Sequence, residues 1–272
     1  MRSVLVLLLA LLPAVARGGV PAVADARLDY QAYAHGLPVL RMRVALALWP
    51  GGYQVRLRYR TVGLVGFFYR GGQEDQVAGV WHDGRPAPRL YRADGVWHGT
   101  PHRLTMAYDD GRPELRTVLP PIRAQREPVP AAAQRGTVDT LSALVDLLRQ
   151  IASTGGCTDR VRTFDGRRLS VIAARDAGTT VLPRRSGAVF AGPALRCDFT
   201  GRMLAGFLYG QQQHDSRPLH GSAWFAPLVP GGPLWPVRLR FQTDWFGDVT
   251  MVLTASQAAE PALTADRTIG VP

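Results

Sequence analysis

A two-residue alternation of apolar and charged side chains runs through this chain and restricts it to folds built on β-sheets. Leu40 to Leu48 carries an apolar side chain at every even position, with Arg41 and Arg43 between them. After the turn residues 50–52, the segment 53–60 alternates apolar residues with glutamine and arginine. Successive side chains of a strand point to opposite faces, so the pattern predicts a hairpin with one buried face and one arginine-rich face.

Turn signals support a mainly β fold. Asp-Gly pairs tolerate the positive φ of tight turns and are expected near strand ends. The chain has such pairs at Asp83-Gly84, Asp94-Gly95, Asp110-Gly111 and Asp165-Gly166. Typical strand and turn lengths predict roughly ten to thirteen strands between Arg27 and Ser256. The expected architecture is a large curved antiparallel sheet or an open half-barrel.

One segment departs from the β pattern and predicts a single amphipathic helix over residues 139–152. Asp139 is suited to cap its first turn, and Gly155-Gly156 is expected to end it. The predicted apolar stripe consists of Leu141, Leu144, Val145, Leu148 and Ile151. Because no helical partner is predicted for this stripe, we expect the helix to pack on the sheet.

The first residues of the chain have the composition of a secretory signal peptide. Arg2 precedes the charge-free run 4–15, and Ala-Val-Ala at 14–16 fits the small-x-small pattern of signal peptidase. The run is shorter than the about 20 residues that span a bilayer, and no cysteine follows it to carry a lipid anchor. We predict a soluble periplasmic protein; a buried N-terminal strand is the alternative. The predicted division is a signal peptide at 1–16 (or cleavage after Ala26), one β-rich domain at 27–256, and a loosely ordered tail at 257–272.

Cys157 and Cys197 are the only cysteines of the chain. An exported chain with two cysteines is predicted to join them in a disulfide; two separately buried thiols are the alternative. The chain has no Cys-x-x-Cys sequence and no histidine close to either cysteine. This pattern argues against a redox centre or a zinc site.

The net charge of +11 does not by itself indicate nucleic-acid binding. Every basic residue is arginine, the arginines are spread along the chain, and alanine, glycine and proline are abundant. This composition is typical of a GC-rich genome. We therefore expect no nucleic-acid partner, whereas attraction to an anionic surface or an envelope protein remains an open alternative.

Residues that could carry catalysis or bind a metal are not gathered by the sequence. His98 and His102 are separated by a stretch containing proline, and His214 and His220 flank a polar loop. Ser222 lacks the second glycine of a nucleophile elbow. We predict no catalytic residue, no metal site and no cofactor.

Aromatic side chains after residue 66 and in the C-terminal third suggest an apolar binding surface. Ligand sites are concave and mostly apolar, and a curved sheet under a helix would provide such a surface. The residues predicted to line it are Leu144, Leu148, Phe67, Trp224 and Trp245. Ordinary core packing of these residues is the alternative.

Four ordered segments resemble a known family. They are Tyr30-x-x-Tyr33-x-x-Gly36-Leu37, Tyr53-Gln54-Val55-Arg56-Leu57 with Gly63-Leu64 after it, Thr137-Val138-Asp139-Thr140-Leu141-Ser142-Ala143-Leu144, and Cys157 followed by Val161-x-x-Phe164-Asp165-Gly166-Arg167-Arg168. Together they resemble the bacterial exported proteins grouped as domain of unknown function 3108. Thr140 departs from the family, which often has proline after the helix-start aspartate; proline suits that first helical position. The resemblance implies an exported β-rich domain and no particular reaction.

These observations leave three hypotheses for function. The first is an exported cell-envelope protein that binds an apolar or amphiphilic ligand, such as a lipid, on the concave side of a curved sheet. The second is a non-catalytic interaction or assembly factor that docks on another envelope component. The third is an unrecognised hydrolase. An apolar cavity beside the helix favours the first, an exposed apolar patch the second, and a cleft gathering histidine and aspartate the third.

Overall fold

The computed structural model describes residues 24–68, 70–243 and 247–258. The predicted signal peptide, Trp245 and nearly all of the predicted tail lie outside the described residues. Within these ranges the protein forms thirteen strands, which are β1 Ala24–Ala34, β2 Leu37–Trp49, β3 Gly52–Thr61, β4 Gly71–His82, β5 Arg85–Trp97, β6 Thr100–Asp109, β7 Arg112–Leu119, β8 Asp159–Phe164, β9 Leu169–Leu182, β10 Gly192–Ala205, β11 Leu219–Pro227, β12 Leu234–Thr243 and β13 Gly247–Ala258. The helices in the same ranges are α1 Gly63–Phe68, α2 Ala131–Gln134, α3 Thr140–Thr154 and α4 Gln212–Asp215, with a 3₁₀ turn at Ile122–Ala124.

All thirteen described strands belong to one antiparallel sheet. Its order is β7-β6-β5-β4-β3-β2-β1-β13-β12-β11-β10-β9-β8, so β1 lies in the middle and pairs with both β2 and β13. The chain meanders outward to the β7 edge, crosses to the β8 edge, and meanders back to the centre. The sheet therefore stays open, with β7 and β8 as its edges, and the predicted mainly β fold with a large antiparallel sheet is confirmed.

The predicted alternation sets the register of the β2–β3 hairpin. Leu46 faces Val55 on the inner side, the side that α3 covers, and Arg43 faces Arg58 on the outer side. Asp83 and Asp110 adopt positive φ in turns, as predicted. Asp94-Gly95, in contrast, lies inside β5, and the turn forms four residues later at His98-Gly99. A Cβ atom at Gly95 would lie 2.7 Å from the Gly72 carbonyl oxygen. This glycine therefore allows β4 and β5 to approach closely and does not form a turn.

Helix α3 begins and ends through the expected capping interactions. The Asp139 carboxylate accepts hydrogen bonds from the backbone N–H groups of Leu141 at 3.0 Å and Ser142 at 2.9 Å. Gly155, with φ of 75°, donates its N–H to the Ile151 carbonyl and ends the helix. The helix runs two residues beyond its predicted C-terminal boundary. It crosses the inner face and contacts β4 and β5 in one half of the sheet and β8 and β12 in the other.

The predicted disulfide is confirmed. The sulfur atoms of Cys157 and Cys197 are 2.08 Å apart, and the two Cα atoms are 6.1 Å apart. Cys157 follows the end of α3 and Cys197 lies in β10. The bond therefore fixes the C-terminal end of the helix to the second half of the sheet.

The β8–β9 turn brings the two edges of the open sheet together. A Cβ atom at Gly166 would lie 2.4 Å from the Leu104 side chain in β6, which shows how closely this turn meets the first half. Arg167 donates to the Pro120 carbonyl oxygen at 2.8 Å. Val138, just before α3, forms an isolated bridge with Thr163 in β8. The segment that carries much of the family resemblance thus fixes the curvature of the sheet.

Candidate ligand groove beside helix α3

The two sides of helix α3 have different surroundings. One side, formed by Leu141, Val145, Leu148 and Ile151, is buried in the core. On this side Ser142 Oγ lies 2.7 Å from the Tyr53 hydroxyl of β3, which fixes the helix against the first half of the sheet. The other side carries Leu144 and Leu147, which are only partly buried.

Leu144 and Leu147 line a groove between α3 and the β8–β9 hairpin, which we call the α3 groove. Its volume is about 170 Å³, and it is lined by Thr140, Ala143, Leu144, Leu147, Asp159, Val161, Ile172 and Ala174. Most of these side chains are aliphatic, with Thr140 and Asp159 as the polar members. An engineered apolar cavity of about 150 Å³ binds benzene, so the α3 groove is large enough for a small apolar group.

The inner face of the sheet continues the groove wall into β10. Ile172 is paired with Gly201, and Ala174 with Phe199. A Cβ atom at Gly201 would meet no atom within 4 Å, so the space above this glycine is open. The ring of Phe199 lies over Gly221 of β11, where a Cβ atom would come within 2.3 Å of it. Gly201 and Gly221 therefore add no side chain to this part of the inner face.

The inner face of the first half carries buried polar groups instead. Asp75 lies in β4, and its carboxylate accepts a hydrogen bond from the Gln73 amide at 2.6 Å. Burial raises the pKa of Asp75 to about 6, although Gln73 and the Tyr91 hydroxyl favour its charged form and nearby Asp165 disfavours it. Asp165, in the β8–β9 turn, is partly buried, yet the Arg168 guanidinium and the N–H groups of Arg167 and Arg168 hold its pKa below the usual range.

The structure does not bring the predicted ligand-binding residues into one site. Leu144 lines the α3 groove, but Leu148 is in the packed core with 6% of its surface exposed. Phe67 lies on α1 and is 78% exposed. Trp224 is on the arginine-bearing outer face, where its indole nitrogen donates to Thr180 Oγ1 at 2.9 Å and Arg196 lies over its ring. Trp245 lies outside the described residues.

Sequence reasoning missed the β8–β9 side of the groove. Val161 and Ile172 are paired across this hairpin, so both point to the inner face. Their alternation was a usable signal, because the Asp165-Gly166 turn predicts the hairpin and its register. Which side of the helix would meet this hairpin depends on tertiary packing.

The outer face of the sheet has two shallow concavities that charged side chains help to line. The larger, of about 750 Å³, lies over β1 to β3 and is lined by six arginines, namely Arg27, Arg41, Arg43, Arg56, Arg58 and Arg60. The other, of about 670 Å³, lies over β9 to β13. The first matches the predicted arginine-rich face, and the second has Phe199 and Phe241 beside charged side chains in its lining.

The second outer concavity holds serine, histidine and aspartate side chains near one another. Ser222 Oγ donates to Asp198 Oδ1 at 2.6 Å, and Asp198 is also bound by Arg196 at 2.8 Å. His220 Nδ1 lies 3.3 Å from Thr200 Oγ1. The serine hydroxyl is thus directed to a carboxylate, and not to the histidine that would have to act as its base. In the described part of the chain, no three histidine, cysteine or acidic side chains form a group that could hold a metal ion.

The fold has a counterpart among solved structures. The chain is similar to the crystal structure of a beta-barrel-like protein of the domain of unknown function DUF1849 from Brucella abortus, with a TM-score of 0.54 and 13% identity over 87% of this chain and 98% of that one. At this identity the likeness concerns the fold alone. A domain named for outer membrane lipoprotein sorting, from Vibrio parahaemolyticus, aligns with a TM-score of 0.21 and 6% identity over 92% of this chain and 87% of that one. A score this low supports no argument about the present chain.

The remaining comparisons concern sequence. No curated protein matches the chain. No helix in the described ranges has the length and apolar character needed to cross a membrane. The profile of the family described as "Protein of unknown function (DUF3108)" matches residues 29–254, from β1 to β13. The chain therefore belongs to the DUF3108 family.

Proposed function

We propose that this protein binds the apolar part of an amphiphilic ligand in the α3 groove. The observation that carries the proposal is the pair Leu144 and Leu147, which face Val161 and Ile172 across a groove of about 170 Å³ and not across a filled interface. Apolar side chains that stay partly exposed beside a well-packed helix leave surface that a ligand can bury. Each buried methylene contributes about 0.8 kcal/mol, so about six methylenes in the groove would contribute about 5 kcal/mol, which corresponds to binding in the submillimolar range.

The open space above Gly201 would allow a bound ligand to extend beyond the α3 groove. The space above Gly201 is open, and this glycine is paired with Ile172, so a chain that lies between α3 and Ile172 can extend over it. The groove is open to solvent at its side, so a polar head group attached to this chain can remain in water. An amphiphile fits this arrangement better than a wholly apolar molecule.

Filling the groove tests the proposal. Gly201→Leu should place a side chain in the open space beside Ile172 and lower the affinity for a hydrophobic fluorescent probe, and for a fatty acid that displaces it, by about tenfold or more. The variant should fold normally, because a Cβ atom at position 201 meets no atom within 4 Å and leaves open space for the rest of the side chain. Thr200→Leu is the matched control, since it places a leucine on the outer face of the same strand and should leave the affinity unchanged.

Two results would overturn the proposal. One is equal probe affinity for Gly201→Leu and the unaltered protein, both verified as folded by circular dichroism. The other is the absence of any probe or fatty-acid binding by the unaltered protein. Mass spectrometry of the protein under native conditions, after purification from its own cell envelope, would identify a retained ligand.

We infer export to the periplasm as the setting of this function. The signal-like segment at residues 1–16 lies outside the described residues and supports the inference by composition only. The Cys157–Cys197 disulfide adds structural support, because such bonds persist mainly in oxidising compartments.

A further inference from the structure

Helix α1 presents three large apolar side chains to solvent. Leu64 is 67% exposed, Phe67 78% and Phe68 70%. The two phenylalanine rings pack edge to face with their centroids 5.2 Å apart. Three such side chains in six residues form a compact apolar tip at the end of the β3–β4 hairpin.

Backbone hydrogen bonds and a close approach to β2 fix the position of the tip. Val62 donates its N–H to the Val39 carbonyl of β2 at 3.0 Å, and Gly66 donates to Val62 at 3.1 Å. Gly63 has φ of +63°, and a Cβ atom there would lie 2.5 Å from the Pro38 carbonyl oxygen, so only glycine fits. Val65 points the other way and packs against the core. These contacts fix the backbone of α1, so Leu64, Phe67 and Phe68 lie on its outward side.

Arginines surround this tip. Arg60 lies in β3 just before α1 and is paired in register with Arg41 of β2, while Arg70 follows the helix. All three are exposed. Among the residues that the structure describes, Arg60 and Arg70 form no ion pair with a carboxylate, whereas Arg58 pairs with Glu74 and Arg43 with Asp29. Arg41 and Arg60 also line the outer concavity of about 750 Å³ over β1 to β3.

We propose that α1 and the arginines beside it dock the protein on the surface of a bilayer that contains anionic phospholipid. Leucine and phenylalanine side chains of this kind enter the boundary between head groups and acyl chains. Arginine guanidinium groups bind phosphate through two parallel hydrogen bonds, which suits Arg41, Arg60 and Arg70 to lipid head groups around the inserted tip.

A bilayer fits the dimensions of the tip better than a protein partner does. A specific protein interface buries roughly 1,200–2,000 Å² and has a polar rim. The tip offers only three protruding apolar side chains beside the exposed Arg41, Arg60 and Arg70. A fluid anionic surface needs no shape complementarity and accepts a small protruding group.

Vesicle binding tests this proposal, and the α3 groove plays no part in the test. The full mature chain should sediment with vesicles of phosphatidylcholine and phosphatidylglycerol, and much less with phosphatidylcholine alone. Combined Leu64→Ser, Phe67→Ser and Phe68→Ser substitutions should lower the affinity for the anionic vesicles by about tenfold or more. These side chains are exposed, so the variant should keep the melting temperature of the unaltered protein.

Val181→Ser with Val229→Ser provides the matched control. These two valines are 74% and 63% exposed and lie away from α1, in β9 and in the β11–β12 loop, so their loss should not change vesicle binding. Arg60→Glu with Arg70→Glu should also weaken binding severalfold, more strongly at low salt than at about 0.5 M salt, where charges are screened. Gly201→Leu should bind vesicles normally, which separates this proposal from the ligand proposal.

Phe67→Trp reports where the tip lies. Brominated phospholipids should quench the added indole beyond the quenching seen for the unaltered protein, because the side chain enters the acyl region. Failure of the unaltered chain to bind anionic vesicles would overturn the proposal and leave a protein partner for α1. Full binding by the triple serine variant would overturn it as well, because adsorption would then depend on arginine charge alone.

Discussion

Helix α3 packs differently against the two halves of the sheet. In the first half, β1 to β7, Tyr53 bonds to Ser142 and the side chains facing α3 are buried. In the second half, β8 to β13, Val161, Ile172 and Ala174 lie across the α3 groove from Leu144. The first half therefore holds α3 in position, and the second half leaves one side of it partly exposed.

The outer faces of the two halves differ in charge balance. Arg41 faces Arg60, and Arg43 faces Arg58, across the β2–β3 pair. Like charges placed opposite each other destabilise a sheet, and only part of this charge is balanced by Asp29 and Glu74. In the second half, arginines of the outer face meet aspartates, as in the pairs Arg196–Asp198 and Arg240–Asp248. The outer concavity over β1 to β3 is thus lined by six arginines and one aspartate.

The largest expected effect concerns the covalent link between α3 and the second half. Replacing Cys157 and Cys197 together by alanine should lower the free energy of unfolding by about 4 kcal/mol, because the unfolded chain gains the freedom that the bond removes. Denaturant unfolding of the oxidised protein and the double variant measures the difference. Alkylation of unreduced, denatured protein should label neither cysteine, and equal stability of the two proteins would contradict the prediction.

The next effect compares the two sides of α3 directly. Leu148→Ala should lower the free energy of unfolding by about 3 kcal/mol, since Leu148 is 6% exposed in a filled core. Leu144→Ala should lower it by less than about 1 kcal/mol, because part of this side chain faces the groove. Thermal and denaturant unfolding of both variants would measure this asymmetry.

Probe binding should show the opposite order in these two variants. Leu144→Ala removes part of the groove wall and should weaken probe binding, whereas Leu148→Ala should not, provided that the variant stays folded. Equal loss of stability in the two variants would show that the groove side is packed like the core. The comparison between the two halves would then fail.

Local sequence signals were sufficient for much of this fold. The alternation at residues 40–60 predicts the strands and their register because side-chain direction in a strand has a fixed period. Asp139 predicts the start of α3 because its carboxylate can satisfy free N–H groups of the first turn. Two cysteines in an exported chain predict the disulfide. Each inference depends on chemistry within a few residues or on a single possible pairing.

The candidate site could be predicted only in part, because its walls come from distant segments. The helical period places Leu144 and Leu148 on one stripe, but only the packed structure shows that Leu148 is covered and Leu144 is not. Asp94-Gly95 has a turn composition, yet its glycine is required by the neighbouring strand β4. Phe67 belongs to a six-residue helix that depends on contacts with β2. Tertiary contacts override local preference at each of these places.

The smallest effect concerns the polar groups that the first half buries. The pKa of Asp75 rises from its usual value of 3.8 to about 6 in the folded protein, mainly through burial. The folded state therefore binds this proton more tightly than the unfolded state. Below about pH 4 Asp75 contributes its full stabilisation, and this contribution is lost as the pH rises through about 6.

Asp75→Asn should accordingly stabilise the protein on the alkaline side only. At pH 7.5 the free energy of unfolding should rise by about 2 kcal/mol, because the neutral amide avoids burying a charge and can still accept from Gln73. At pH 4 the two proteins should have nearly equal stability. Denaturant unfolding over this pH range measures the difference.

Glu74→Gln is the matched control from the outer face of β4. Arg58 and Gln76 hold the pKa of Glu74 below its usual value, against a partial burial that raises it, so its charge stabilises the fold above its unfolded pKa. The glutamine variant should therefore lose a little stability at pH 7.5, opposite in sign to Asp75→Asn. If Asp75→Asn instead destabilises the protein at pH 7.5, the Asp75 carboxylate is compensated by its neighbours. Hydrogen bonds and charges around Asp75 would then offset the cost of burying its carboxylate.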